Sequence, residues 1–172
     1  MGMLKKHYTL WLMFAGVIGF CIGVAIKTAW EESKFIIGIW DDDPIVIVCP
    51  DSRLTNYRVH KAIEWWGIRG YEVAYVHWDR DNQICKNKWS QGMILIRGEG
   101  ELLPNTYAIT SRLTILNKMV SAQIILPNKH KHMPRLLEHE FGHAFGMRHA
   151  EEEGHMMHPI HELGGESFWI PD

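Results

Sequence analysis

The sequence predicts an α/β (α+β) domain built on a mixed twisted sheet, with an edge strand and one histidine-bearing helix, preceded by a single transmembrane helix. Three observations lead there. Short apolar runs and one amphipathic run follow each other as strand, helix, strand, strand. Residues 9–26 carry no charge for 18 residues. Eight of the 11 histidines fall between His130 and His161. The 172 residues, 47% hydrophobic and 22% charged, suffice for one ordinary core and exclude wholesale disorder. With 18 basic against 20 acidic residues, the chain lacks the electrostatic footprint that grips a phosphate backbone, so no nucleic-acid partner is expected.

The first element runs from Thr9 to Ile26, TLWLMFAGVIGFCIGVAI. As a helix it spans roughly 27 Å, close to the thickness of a bilayer core. Tyr8, Trp11 and Trp30 stand near its ends, and Lys5, Lys6 and Lys27 bracket it, as suits a membrane span. It reads as a signal anchor. A cleaved signal peptide, leaving a secreted protein, is the competing reading, opposed by the length of the run and the lack of an A-x-A site. Lys5 and Lys6 before the span, and Glu31, Glu32 and Asp41 to Asp43 after it, orient the N-terminus to the cytoplasm and the rest outside. Gly19 and Gly23 form the G-x-x-x-G spacing of a weak homodimer contact. Residues 1–30 are therefore expected to form a cytoplasmic tip and anchor, 31–43 a linker, and 44–172 the folded domain. The linker ends in Asp41, Asp42, Asp43 and Pro44, whose aspartates lack the alternate spacing of a calcium loop.

Ile45 to Cys49, a continuous apolar run between prolines, predicts a central buried strand. Val59, Ala62, Ile63 and Trp66 recur at helical spacing, and Gly67 and Gly70 end that pattern. Tyr71 to Trp78 and Met93 to Ile96 read as strands joined by the polar stretch Asp79 to Gln91. Tyr107 to Thr110 and Val120 to Leu126 complete the β part, the second stopped by Pro127 before a helix from about Met133. Cys49 and Cys85 form either one bridge or two buried thiols; both readings stay open.

The stretch His139-Glu140-Phe141-Gly142-His143-Ala144-Phe145-Gly146-Met147-Arg148-His149 carries the chemistry. Positions four apart share one helix face, so His139 and His143 can present two ring nitrogens to one zinc ion. Glu140, one residue past the first ligand, reaches the attacking water without filling the coordination sphere and is the natural general base. Gly146 can adopt a positive φ, end the helix and swing His149 back as the third ligand. Three neutral imidazoles leave a fourth position open, the mark of a catalytic rather than a structural site.

His139 to His149 is H-E-x-x-H-x-x-G-x-x-H, and Gly154-His155-Met156-Met157-His158-Pro159 lies just beyond it. Together they resemble the metzincin metalloproteases and their Met-turn, with the matrixin-like branch nearest: Met157 stands eight residues past His149 and Pro159 two further on. The resemblance implies a zincin-like fold with an active-site helix, one catalytic Zn²⁺, and Met157 as a floor beneath the ligands. It also implies that Tyr107, Ala108, Ile109 and Thr110 form the edge strand to which an extended peptide adds. His158 stands where relatives often carry tyrosine; lining the cleft, transient ligation or proton donation, and simple exposure are its open roles. The 13 residues after Pro159 leave the family's C-terminal helix absent or reduced to a turn. The expected function is a membrane-anchored zinc endopeptidase acting on a peptide or protein. An inactive zinc-stabilised, membrane-tethered peptide-binding module and a zinc amidase acting on peptidoglycan are the alternatives.

Overall fold

The computed structural model describes residues 35–87, 89–99, 102 and 106–171. The chain divides into two units, residues 1–35 with 170–172 and residues 36–169; the sheet and the two helices described below belong to the second. The expected span at 9–26 lies outside the described residues; among those described, no helix is long and apolar enough to cross a membrane.

Among the described residues five strands form one sheet: β1 (Ile45–Val48), β2 (Tyr75–Trp78), β3 (Met93–Arg97), β4 (Ile109–Ile115) and β5 (Lys118–Ile125), in the order β2-β1-β3-β5-β4. β1 pairs in parallel with β2 and β3, β3 in parallel with β5, and β4 alone runs antiparallel, against β5. The fold is therefore mixed α/β. The central strands carry Val46, Ile47, Val48, Ile94, Leu95 and Ile96, all buried, which is why they read as unbroken apolar runs.

Helix α1 (Asn56–Gly67) is capped by the Thr55 side chain, which accepts the Arg58 backbone N–H at 3.3 Å. It buries Val59, Ala62 and Trp66 and packs against helix α2 (Leu136–Ala144). Two polar ties fix this packing. Trp66 Nε1 donates to the Glu138 carbonyl at 2.7 Å, and the Arg58 guanidinium meets the Glu138 carboxylate in two hydrogen bonds of 2.6 Å.

The structure differs from the expectation at several boundaries. β2 begins at Tyr75 because Tyr71 turns into an aromatic cluster, 5.4 Å from Trp66 and 5.7 Å from Phe145 by ring centroid. The edge strand starts at Ile109 rather than Tyr107 and continues to Ile115, then returns as β5 through the two-residue turn Leu116-Asn117, both at positive φ. α2 starts at Leu136, later than the Met133 start that the periodicity suggests, behind Arg135 in the left-handed region. Among the described residues no helix comes after α2.

Within the stretch expected to link anchor and domain, Ile36 bridges Met147 and Ile39 bridges Lys118. Cys49 and Cys85 form a disulfide, which settles the point that the sequence left open. It joins the end of β1 to a loop held by Asp79, whose carboxylate accepts the backbone N–H groups of Gln83, Ile84 and Cys85 at 3.0, 2.8 and 2.7 Å.

Candidate metal centre

α2 brings His139 and His143 onto one face, one turn apart. The chain then leaves the helix at Gly146, whose φ of 99° and whose approach to the Gly38 carbonyl exclude a side chain, and His149 comes back over the same face. One ring nitrogen from each histidine lies within 4.8 Å of the others, and His143 Nε2 is 3.0 Å from His149 Nε2.

The other ring nitrogens explain why the rings stand this way. His139 Nδ1 donates to the Met156 carbonyl at 2.9 Å and His143 Nδ1 to the Met147 carbonyl at 2.9 Å, which leaves both Nε2 lone pairs facing the common point. Burial drives the pKa of His139 down to about 4 and that of His143 down to about 3, and lowers that of His149 as well. All three are neutral at neutral pH, the form that binds a metal. Three histidines are thus positioned to bind a metal ion.

Glu140 points to the sheet side of the same helix. It is 4% exposed, and burial pushes its carboxyl up to about 7, against the opposing pull of the Thr110 hydrogen bond and the nearby Arg112 charge. The Thr110 hydroxyl donates to Oε2 at 2.5 Å. Two residues along β4, on the same face, Arg112 Nη1 donates to the carbonyls of His143 at 3.1 Å and Met147 at 2.6 Å. β4 therefore ties down both the buried carboxyl and the turn that leads to His149. The sequence offers alternation along this strand as a signal, but not its target on a helix 30 residues away.

Met157 is fully buried beneath the helix, and it sits there because position 142 is glycine: a methyl at Gly142 would overlap the Met157 sulfur and come within 2.8 Å of the Trp66 ring. The Ala150 N–H donates to the Met157 carbonyl at 3.0 Å, linking the turn to the residue after His149. His155, buried and not marked as a turn support by its sequence, accepts the Met157 N–H on Nδ1 at 2.9 Å and donates from Nε2 to the Trp169 carbonyl at 2.8 Å. One of its nitrogens holds the turn and the other the C-terminal stretch, and it stands outside the group of three nitrogens that converge.

The triad opens into a cleft of about 930 Å³. Tyr107, Ala108, Ile109 and Thr110 line one side, and His158 with Pro159 lies on another. His158 is buried rather than exposed, with Nδ1 3.1 Å from the Ile160 N–H.

Fold and centre together define a mixed α/β protein with a histidine triad disposed to bind a metal. No family model matches the chain, and no curated protein matches it. Among solved structures it is similar to metalloproteinase II from Bacteroides fragilis, with a TM-score of 0.46 and 13% identity, over 78% of this chain and 53% of that one. The chain thus spans about half the length of that neighbour.

Proposed function

We propose that the chain is a zinc endopeptidase of the metzincin type with a zincin-like fold, in which His139, His143 and His149 hold one zinc ion and Glu140 is the general base. The observation that carries the reading is the pairing of three neutral, pre-oriented imidazoles with a buried carboxyl beside them at the mouth of one cleft. Three nitrogen donors with room for a further ligand suit catalytic zinc. When bound, zinc supplies Lewis-acid polarisation of the substrate carbonyl and activation of water.

The chain's own groups do the rest. Glu140 takes the proton of the attacking water and returns it to the leaving amine nitrogen; a carboxyl with a pKa near 7 is suited to both transfers at neutral pH. Thr110 holds that carboxylate by its hydroxyl. The free edge of β4, which pairs with β5 on its other side, offers backbone groups to an extended peptide, with Tyr107 and Ala108 continuing the wall before the strand begins. His158 lines the cleft on the substrate's path. Met157 supports the ligand helix through Gly142.

We further propose that residues 9–26 anchor the protein with its N-terminus in the cytoplasm and its catalytic domain outside, and that Gly19 and Gly23 give the anchor a weak self-contact. The Cys49–Cys85 disulfide supports an extracytoplasmic domain, since such bonds persist in oxidising compartments.

The test is metal content and cleavage of an unfolded protein, on the full chain as wild type and Glu140→Ala. One zinc per chain in both, with turnover lowered by roughly 10² to 10⁴ in the variant, is expected. Equal turnover removes Glu140 from its role. Zinc without cleavage in either points to a binding module or a non-protein amide substrate, and absence of zinc overturns the reading.

A further inference from the structure

Between Glu101 and Glu138 the sequence contains no aspartate or glutamate, yet it carries Arg112, Lys118, Lys129, Lys131 and Arg135, in a chain whose net charge is −2. This stretch supplies much of one side of the cleft. Arg112 is committed to the His143 and Met147 carbonyls. Arg135 is not so committed. Its carbonyl accepts the His139 N–H at 2.8 Å, which sets it one helical turn from the first metal ligand, and its side chain lines the same cavity. It holds a φ of 62°, a backbone conformation unfavourable for a residue bearing a side chain.

The Arg135 guanidinium donates through Nη2 to the His161 carbonyl at 3.3 Å, and among the described residues it makes no ion pair with a carboxylate. His161 lines the cavity beside it, its ring 6.2 Å from that of Tyr107. Its Nε2 is buried with no hydrogen-bond partner, and in the tautomer that carries hydrogen there it offers a donor to a ligand. Apart from Glu140, the cavity's acidic lining among the described residues is Glu162, which is exposed. A fork of guanidinium donors beside an imidazole N–H, with no built-in counter-ion, is a receptor for a planar carboxylate.

We infer that the cleft selects peptides with an acidic side chain flanking the scissile bond, and that Arg135 and His161 hold its carboxylate. The inference rests on the endopeptidase reading and names the substrate class of that site. Arg135 and His161 act here as specificity residues.

The experiment uses the zinc-loaded full chain and peptides of one sequence that differ only at a position flanking the scissile bond, as Glu, Gln or Lys. Wild type is expected to favour Glu over Gln by about tenfold in kcat/KM, the effect of one charge-assisted hydrogen bond, with Lys lowest. Arg135→Glu is expected to reverse the order of Glu and Lys. His161→Leu is expected to shrink the preference and His161→Gln, which keeps a donor, to retain it. Equal cleavage of the Glu and Gln peptides by wild type overturns the inference without reliance on any variant, and a preference that survives Arg135→Glu overturns it as well.

Binding of the same peptides to zinc-loaded Glu140→Ala, read by fluorescence anisotropy, separates this inference from the one beneath it. Tighter binding of the Glu peptide with no cleavage by wild type keeps the carboxylate site and sinks the peptidase reading. Equal binding of Glu and Gln sinks the site whatever the catalysis.

Discussion

His139 and His143 each give one ring nitrogen to a backbone carbonyl, and the burial that secures those bonds also sets how the metal-free protein responds to pH. Their folded pKa values, about 4 and about 3, lie below the ordinary 6.5, so the unfolded chain binds more protons than the folded one across that interval. The stability they contribute is present above pH 6.5 and is lost as pH falls towards 4 and 3. Glu140 acts in the opposite sense. Its pKa is raised from 4.5 to about 7, so its contribution is present below pH 4.5 and is lost as pH rises through 7. Between pH 4.5 and 6.5 the two act against each other, so the carboxyl cancels part of the gain that the histidines give as pH rises. The thermal midpoint of the metal-free chain is therefore expected to rise across that interval, and to rise more steeply in Glu140→Gln, where the opposing carboxyl is gone. A rise of unchanged steepness in the variant would mean that Glu140 is not held protonated by its burial.

At the scale of elements, the contact between α2 and the turn that carries Met157 hinges on the missing side chain of Gly142. Gly142→Ala is expected to destabilise the fold by about 1 to 3 kcal/mol in urea unfolding, because the added methyl must displace a methionine that is fully buried. A loss under about 0.5 kcal/mol would show that the turn yields freely. The same region shows which parts of the site a linear reading reaches. His139 and His143 are legible because a helix brings every fourth residue onto one face, and His149 because Gly146 announces where the helix stops. Thr110 is legible as part of the edge strand, but its hold on Glu140 crosses from sheet to helix and leaves no periodic trace. The β4–β5 hairpin escapes a linear reading because its turn is Leu116-Asn117 rather than a glycine pair; Leu116 adopts a positive φ and is 91% exposed, a choice no turn rule favours. The late start of α2 is hidden for a similar reason, since Arg135 offers no capping side chain. The central strands, buried on both faces, are legible nearly to the residue.

For the molecule as a whole, the disulfide between Cys49 and Cys85 closes a loop with a sequence separation of 36. Cys49→Ser with Cys85→Ser is expected to cost roughly 3 to 4 kcal/mol of stability, the effect of releasing a loop of that size in the unfolded chain. Urea unfolding of the full chain, oxidised against the double variant, checks it; coincident curves would show that the bond adds nothing to the fold. The pairing needs the third dimension, because it depends on Asp79 gathering three backbone N–H groups and so presenting Cys85 to the end of β1.

Residues 36–40 fasten the start of the second unit to the turn between His143 and His149. The Ile37 N–H donates to the Gly146 carbonyl at 2.8 Å, Ile36 bridges Met147, and Trp40 Nε1 donates to the Ala144 carbonyl at 3.0 Å. Tension applied to the chain ahead of Ile36 is borne first by these bonds, and they grip the turn that delivers His149. A pull there is delivered to residues 144–147, the stretch of chain that joins His143 to His149, so the spacing between those two histidines is what it strains.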